Sequence, residues 1–238
     1  RSFTFIAAKL SDNKILMERN PEYLAALMSM PKVDRLRLLG DCDRGGNWLI
    51  RATAGTVFRR DWFEIVDAAP VGGMAVRFWD LAASEPSGRN SDPDWTAGVK
   101  IKKAPTGIFF VEDVVRHRSQ SVRVVQTMKN TASQDGWSVR IGLFQDPGQA
   151  GKAQAEALVR ELAGYVATTQ TTTGSKIHNA GPVSAQAGAG NIKLVRGTWN
   201  DAFLAELENF PDGGHDDQVD ALAGGFNLLT RTVPMMLA

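Results

Sequence analysis

The chain is poor in several residue types that would each announce a chemistry. It has one cysteine, Cys42, in 238 residues. That excludes an internal disulfide framework and a cysteine zinc site, and suits a reducing compartment. Its three histidines, His117, His178 and His215, are too scattered to spell a zinc motif. No apolar run approaches the about 18 residues that cross a bilayer, which excludes a helical membrane span. No secretory leader is visible. Charge of either sign is not in excess: 27 Lys and Arg face 26 Asp and Glu, a formal net charge of +1. That balance neither demands nor excludes nucleic acid. A phosphate loop is missing too. "DPGQAGKA" offers Gly151-Lys152, but Asp146 stands where the first glycine belongs and Ala153 replaces the Ser/Thr.

What is present is a regular pattern from residue 71 onward. "MAVRFWDLA" (74–82), "WTAGVKIKKA" (95–104) and "GIFFVEDVVRHR" (107–118) read as three strands with short connections, an antiparallel meander. A polar loop, "SEPSGRNSDPD", separates the first two and is expected to be mobile. Helical and strand-like segments then alternate. They comprise a helix over 119–136 with Ser119 as N-cap candidate, a buried strand over 138–146, an amphipathic helix over 151–164 and a strand at "YVATTQT". A helix around Pro182, a strand at "NIKLVRG", a helix stopped before Pro211 and a final helix over 216–231 complete the series. The expectation is an α/β fold with a mixed central sheet flanked by helices. Residues 1–70 read as an arm or linker, with helical apolar spacing around Pro31, and 71–238 as the domain. The chain begins with Arg1, and the expectation is a piece of a longer protein.

Acids stand out against this frame. Asp80 closes a strand otherwise fit for burial, and a carboxylate there is costly unless paired or metal-bound. Asp146 ends a second apolar strand, at the end where α/β sheets gather ligands. Each alone is equally well a strand-end or turn aspartate. In "GGHDDQVDALAGGF" (213–226), Asp216 and Asp217 open the last helix and Asp220 follows on a shared face. The helix dipole accounts for one or two of these acids and less well for a third. Hard divalent cations such as Mg²⁺ or Mn²⁺ account for all of them together. The helix's apolar stripe is Val219, Leu222, Ala223 and Phe226, with Asp217 nearly opposite and small residues beside it. Lys100, Lys102 and Lys103 read as a solvated strand face, and Trp79, Trp95, Trp137 and Trp199 as packing residues.

Blocks around these acids also carry a likeness. "RFWDLAAS…DPDWTAGVKI", "FQDPGQAGKAQ", "TTTGSKIHNAGPVSAQAGAGNIKLVRGTWN" and "FLAELENFPDGGHDDQVDALAGGFN" resemble the C-terminal nuclease domain of the large terminase subunit of tailed bacteriophages and prophages. The likeness spans roughly 74–231, and residues 1–70 resemble the end of the terminase motor domain and its linker. It implies an RNase H-like (RuvC-type) fold and an endonuclease that cuts concatemeric double-stranded viral DNA, using two divalent cations, Mg²⁺ or Mn²⁺. The family's acids fall on Asp80, Asp146, Asp217 and Asp220, as catalytic metal ligands. Asp216 and His215 fall beside them as supporting groups, and Asp216 could exchange with Asp217. Lys152, Lys176 and Arg196 are candidate phosphate contacts. The resemblance further implies a portal protein and a small terminase subunit as partners, the cytoplasm of the bacterial host as the location, and no membrane. The motor's ATPase site is not in this chain. Two rivals stand beside this expectation: a non-cleaving RNase H-like module that docks on DNA or a portal, and a Holliday-junction resolvase.

Overall fold

The computed structural model describes residues 14–20, 57–82, 85–88, 90–171 and 174–230. The helical spacing expected around Pro31 lies outside these residues; ahead of it a short helix, α1 (Lys14–Arg19), is described. From residue 57 the chain builds one seven-stranded sheet. Its strands are β1 (Glu64–Val66), β2 (Met74–Asp80), β3 (Thr96–Lys103), β4 (Phe109–His117), β5 (Val139–Gln145), β6 (Ala167–Thr171) and β7 (Ile192–Val195). The spatial order is β1-β7-β4-β3-β2-β5-β6. β2, β3 and β4 form the expected antiparallel meander, while β5, β6, β7 and β1 add in parallel. Six strands therefore point one way and β3 alone runs back, so their carboxyl ends share one edge.

Five helices cover the faces: α2 (Ser121–Asp135), α3 (Gln149–Glu161), α4 (Lys176–Gly188), α5 (Asn200–Asn209) and α6 (Asp217–Thr230). Strand alternation decides which face each side chain serves. Val76 and Phe78 enter the larger core with α4, α5 and α6, which supply Val183, Phe203, Leu207 and Leu222. Trp79 turns to the other face, to Val124 and Met128 of α2 and Leu158 of α3. Asp80 has the parity of Val76 and Phe78 and so faces α6. Beside Trp79, Arg77 is 2% exposed and bonds to Asp135 at 2.7 Å and Asp113 at 2.8 Å. A buried guanidinium with two carboxylates and the Gly98 carbonyl is paired well enough to stay charged.

The last helix sits unusually close to the sheet. A Cβ on Gly224 would lie 2.3 Å from the Phe78 ring, and one on Gly225 2.8 Å from Ile101. Two adjacent glycines let α6 settle directly on β2 and β3, at some cost in helix propensity.

Several expectations are corrected. The core begins before residue 71: Phe58 is fully buried against Phe63 and Phe210, and β1 pairs with β7. A three-residue edge strand is too short to show a period. Ser119 does not cap α2. Gln120 holds the cap position with no side-chain bond, and Ser119 Oγ pairs with His117 Nδ1 at 3.0 Å. Lys100 and Lys102 are ion-paired to Glu112 at 3.2 and 2.7 Å rather than solvated. Trp137 is 72% exposed, stacked on Tyr165, and is not a core residue. Among the described residues, no helix is long and apolar enough to cross a membrane.

Candidate metal and nuclease site

β2 and β5 are neighbouring parallel strands, with Trp79 level with Leu143. Asp80 ends the first, and Asp146 follows the last residue of the second. Both line one small cavity of about 60 Å³, with Phe144 and Gly151. That volume holds a few water-sized groups. Gly151 is required there, since a Cβ would stand 2.4 Å from the Asp146 carbonyl oxygen. The start of α3 thus presses on the turn that presents Asp146, whose side chain is exposed.

The third element is α6. Its first backbone amides need acceptors. One comes from α5: the buried Glu206 carboxylate accepts from Gln218 N–H at 2.6 Å and also holds the Gln218 side-chain amide and Arg116. So anchored, the start of α6 sets Asp216, Asp217 and Asp220 within electrostatic reach of Asp80. Burial pushes the Asp80 carboxyl up to about 8, with the charges of Asp220 and Asp217 adding to it and Lys176 opposing. Asp216 adds least of the three. Burial also raises Asp217 to about 6, against a hydrogen bond donated by Trp95 N–H to its Oδ2 at 3.2 Å. Asp220 is raised by burial, with Lys176 pulling the other way.

Asp217 is the most buried of the three, at 6% exposed, because the chain around Trp95 folds over it. His215 fixes this cover. Its Nε2 lies 2.9 Å from Asp92 and 3.1 Å from Arg118, and Arg118 also binds Asp92. The Arg116 and Arg118 guanidiniums stack on the Trp95 ring, at 4.2 and 3.8 Å. The polar loop expected to be mobile is therefore pinned at its Asp92–Trp95 end. Asp94, His215 and Asp217 each bring one ligand atom within 4.8 Å of the others. His215 Nδ1 is buried without a hydrogen-bond partner, 3.7 Å from Asp94 and 3.8 Å from Asp217.

The expected phosphate contacts are placed differently from one another. Lys176 is at the acids themselves, 2.7 Å from Asp216 and 3.0 Å from Asp220. Lys152 is exposed at the start of α3, 4.0 Å from Glu156. Arg196 is at the same sheet edge but pairs with Asp67 at 2.9 Å. It follows β7, three strands from β2, so roughly 14 Å away at the usual strand spacing.

Asp80 at its strand end feels the charges of Asp220, Asp217 and Asp216, opposed by Lys176, and shares a cavity with Asp146; such hard carboxylate oxygens suit a divalent cation of the Mg²⁺ or Mn²⁺ kind. These acids stand out in the sequence because each has a local signal. Trp95, Asp92 and Glu206 do not, and their contacts span 122, 123 and 12 residues. Of these, only Glu206 had a readable sign, an acid among Phe203, Leu204 and Leu207 on the inner face of its helix.

No curated protein matches the chain significantly in sequence. Among solved structures, the large terminase nuclease from thermophilic phage G20c with bound magnesium is 17% identical with a TM-score of 0.52. That match covers 74% of this chain and 98% of the other. The same nuclease with bound zinc is 17% identical at a TM-score of 0.50, over 71% and 95%. The manganese-soaked, inhibitor-bound human cytomegalovirus terminase nuclease domain is 12% identical at 0.50, over 66% and 83%. At these identities the likeness establishes the fold. Residues 77–228 match the terminase RNaseH-like domain, and the chain belongs to that family.

Proposed function

We propose that this domain is the metal-dependent endonuclease of a phage or prophage DNA-packaging terminase, hydrolysing phosphodiester bonds of concatemeric double-stranded DNA. The observation that carries the reading is that Asp80, at the end of β2 and sharing a cavity with Asp146, lies within electrostatic reach of Asp217 and Asp220 at the start of α6, in a setting that pushes its carboxyl up to about 8. Such a cluster is unfavourable without a cation and favourable with one.

Asp80, Asp146, Asp217 and Asp220 would hold two divalent ions. Ions so held would activate a water for in-line attack and stabilise the departing 3′ oxygen. The chain's own groups set the stage. Asp80 is central, facing the α6 acids and sharing the small cavity with Asp146. Trp95 N–H, His215 and Asp92 fix the Asp217 carboxylate, while Glu206 fixes the helix that carries Asp217 and Asp220. Beside Asp146, Lys152, Arg160, Gln145 and Thr169 line an open groove of about 440 Å³, with Glu156 between the two bases at 4.0 and 3.8 Å. These loose, exposed pairs leave Lys152 and Arg160 able to turn to a DNA phosphate. Portal and small terminase subunit are the partners this role calls for, in the cytoplasm of the bacterial host.

Plasmid nicking with Mn²⁺ tests the reading. Asp80→Ala, folded by circular dichroism, is expected to cut at least about 100-fold more slowly than the parent, as for loss of a group central to charge stabilisation. Undiminished cutting by the folded variant would overturn it. A parent chain that binds DNA and never cuts with Mn²⁺ would favour the docking module. Preference for branched over linear DNA would favour the resolvase.

A further inference from the structure

Lys176 is oddly placed for its charge. It is the first residue of α4, whose N-terminus is set by Gly174 at φ +88° and by Ser175, which accepts a hydrogen bond from His178 N–H. A helix N-terminus disfavours a cation. The first turn of α4 holds no acid to offset it. The compensation comes from another helix, from Asp216 just ahead of α6 and Asp220 in its first turn, at 2.7 and 3.0 Å. Those are charge-assisted bonds to a compact ammonium with three donors. The Asp216 and Asp220 side chains are only 31% and 15% exposed, whereas that of Lys176 is 57% exposed. The acids are held in place, and the lysine has a way out to solvent on a flexible stem.

We propose that Lys176 is a resident counter-cation: in the metal-free domain it occupies the position between Asp216 and Asp220 and competes there with a divalent ion. The inference rests on the nuclease reading above and adds a regulation to it. The ammonium stands in for a metal's charge, keeps the α6 acids together while the domain folds, and makes the two cation positions unequal. The position at Asp80 and Asp146 fills first. The one at Asp220 fills only as Lys176 swings away, which an arriving DNA phosphate would favour by offering the lysine another anion.

The test is Mn²⁺ binding to the full chain without DNA, by calorimetry and by the rise in Tm, for the parent, Lys176→Met, Lys176→Arg and Asp80→Asn. Lys176→Met is expected to bind its weaker Mn²⁺ at least about tenfold more tightly, because a unit charge within hydrogen-bond distance is removed. It should also melt lower than the parent without metal and gain more from Mn²⁺. Lys176→Arg should stay close to the parent. A Lys176→Met curve that superimposes on the parent's, or binds more weakly, overturns the inference while the loss of Mn²⁺ in Asp80→Asn leaves the nuclease reading standing. Absence of Mn²⁺ binding in every chain overturns both. If Lys176→Met does not fold, Lys176→Met/Asp216→Asn against Asp216→Asn makes the same comparison with the same outcomes.

Discussion

Asp80 ends a buried strand with a carboxyl that keeps its proton up to about pH 8, against an ordinary value of 3.8. Between those values the folded, metal-free chain binds a proton that the unfolded chain has released. Stability therefore falls as pH rises through that window. Asp80→Asn removes the penalty. In chelator, its advantage over the parent in urea unfolding should be absent near pH 4 and grow to on the order of 2 kcal/mol at pH 8, discounted for the solvent that still reaches the group. With Mn²⁺ the order should reverse, because the parent gains a ligand that the variant cannot hold. A gap independent of pH would show that Asp80 is not strained by its neighbours. The residue scale was also where the sequence was most legible. A carboxylate at the end of an apolar strand is a local contradiction that can be read without a structure. The partner of Lys176, 40 residues away across two helices, is not.

At the scale of elements, α6 decides whether the acids meet. Its apolar stripe was readable from the 3.6-residue period, and Val219, Leu222, Ala223 and Phe226 are all buried. The opposite side, where Asp217 stood among small residues, proves equally covered: Gly224 lies on Phe78, and Asp217 lies under Trp95. Gly224→Ala would force a methyl into a ring that is itself fully buried. Overpacking of this kind costs about 1–3 kcal/mol. Lifting α6 from β2 should also slow cutting by the folded fraction, with Mn²⁺ affinity falling in parallel. A variant as stable and active as the parent would mean that the helix has room the structure does not show. What the pattern could not convey was how α6 is anchored. Glu206 reaches its first turn from α5 and is itself held by Arg116 of β4, and such pairings depend on how elements stack rather than on the period within any of them.

Across the whole molecule, topology does the gathering. Because β2 and β5 are adjacent and parallel, two aspartates 66 positions apart in the chain open into one cavity, and α6 crosses the same edge with three more. The alternation of helices and strands made this layered sheet predictable. The edge strand β1 and the burial of Phe58 were not, since three residues carry no period and one aromatic in a basic stretch carries no direction. Beyond that edge, Arg196 and its Asp67 partner lie far from the acids, and Lys152 with the groove along α3 lies close to them. A DNA duplex would therefore be expected on the α3 side. The most direct test of the central claim, that acids from β2, β5 and α6 form one divalent-cation site, is anomalous scattering from a crystal of this chain soaked in Mn²⁺. A Mn²⁺ peak in contact with Asp80, beside Asp146 or the α6 acids, is expected, and it should disappear in Asp80→Asn. Mn²⁺ bound elsewhere with none touching Asp80, under conditions in which the protein cuts DNA, would contradict it.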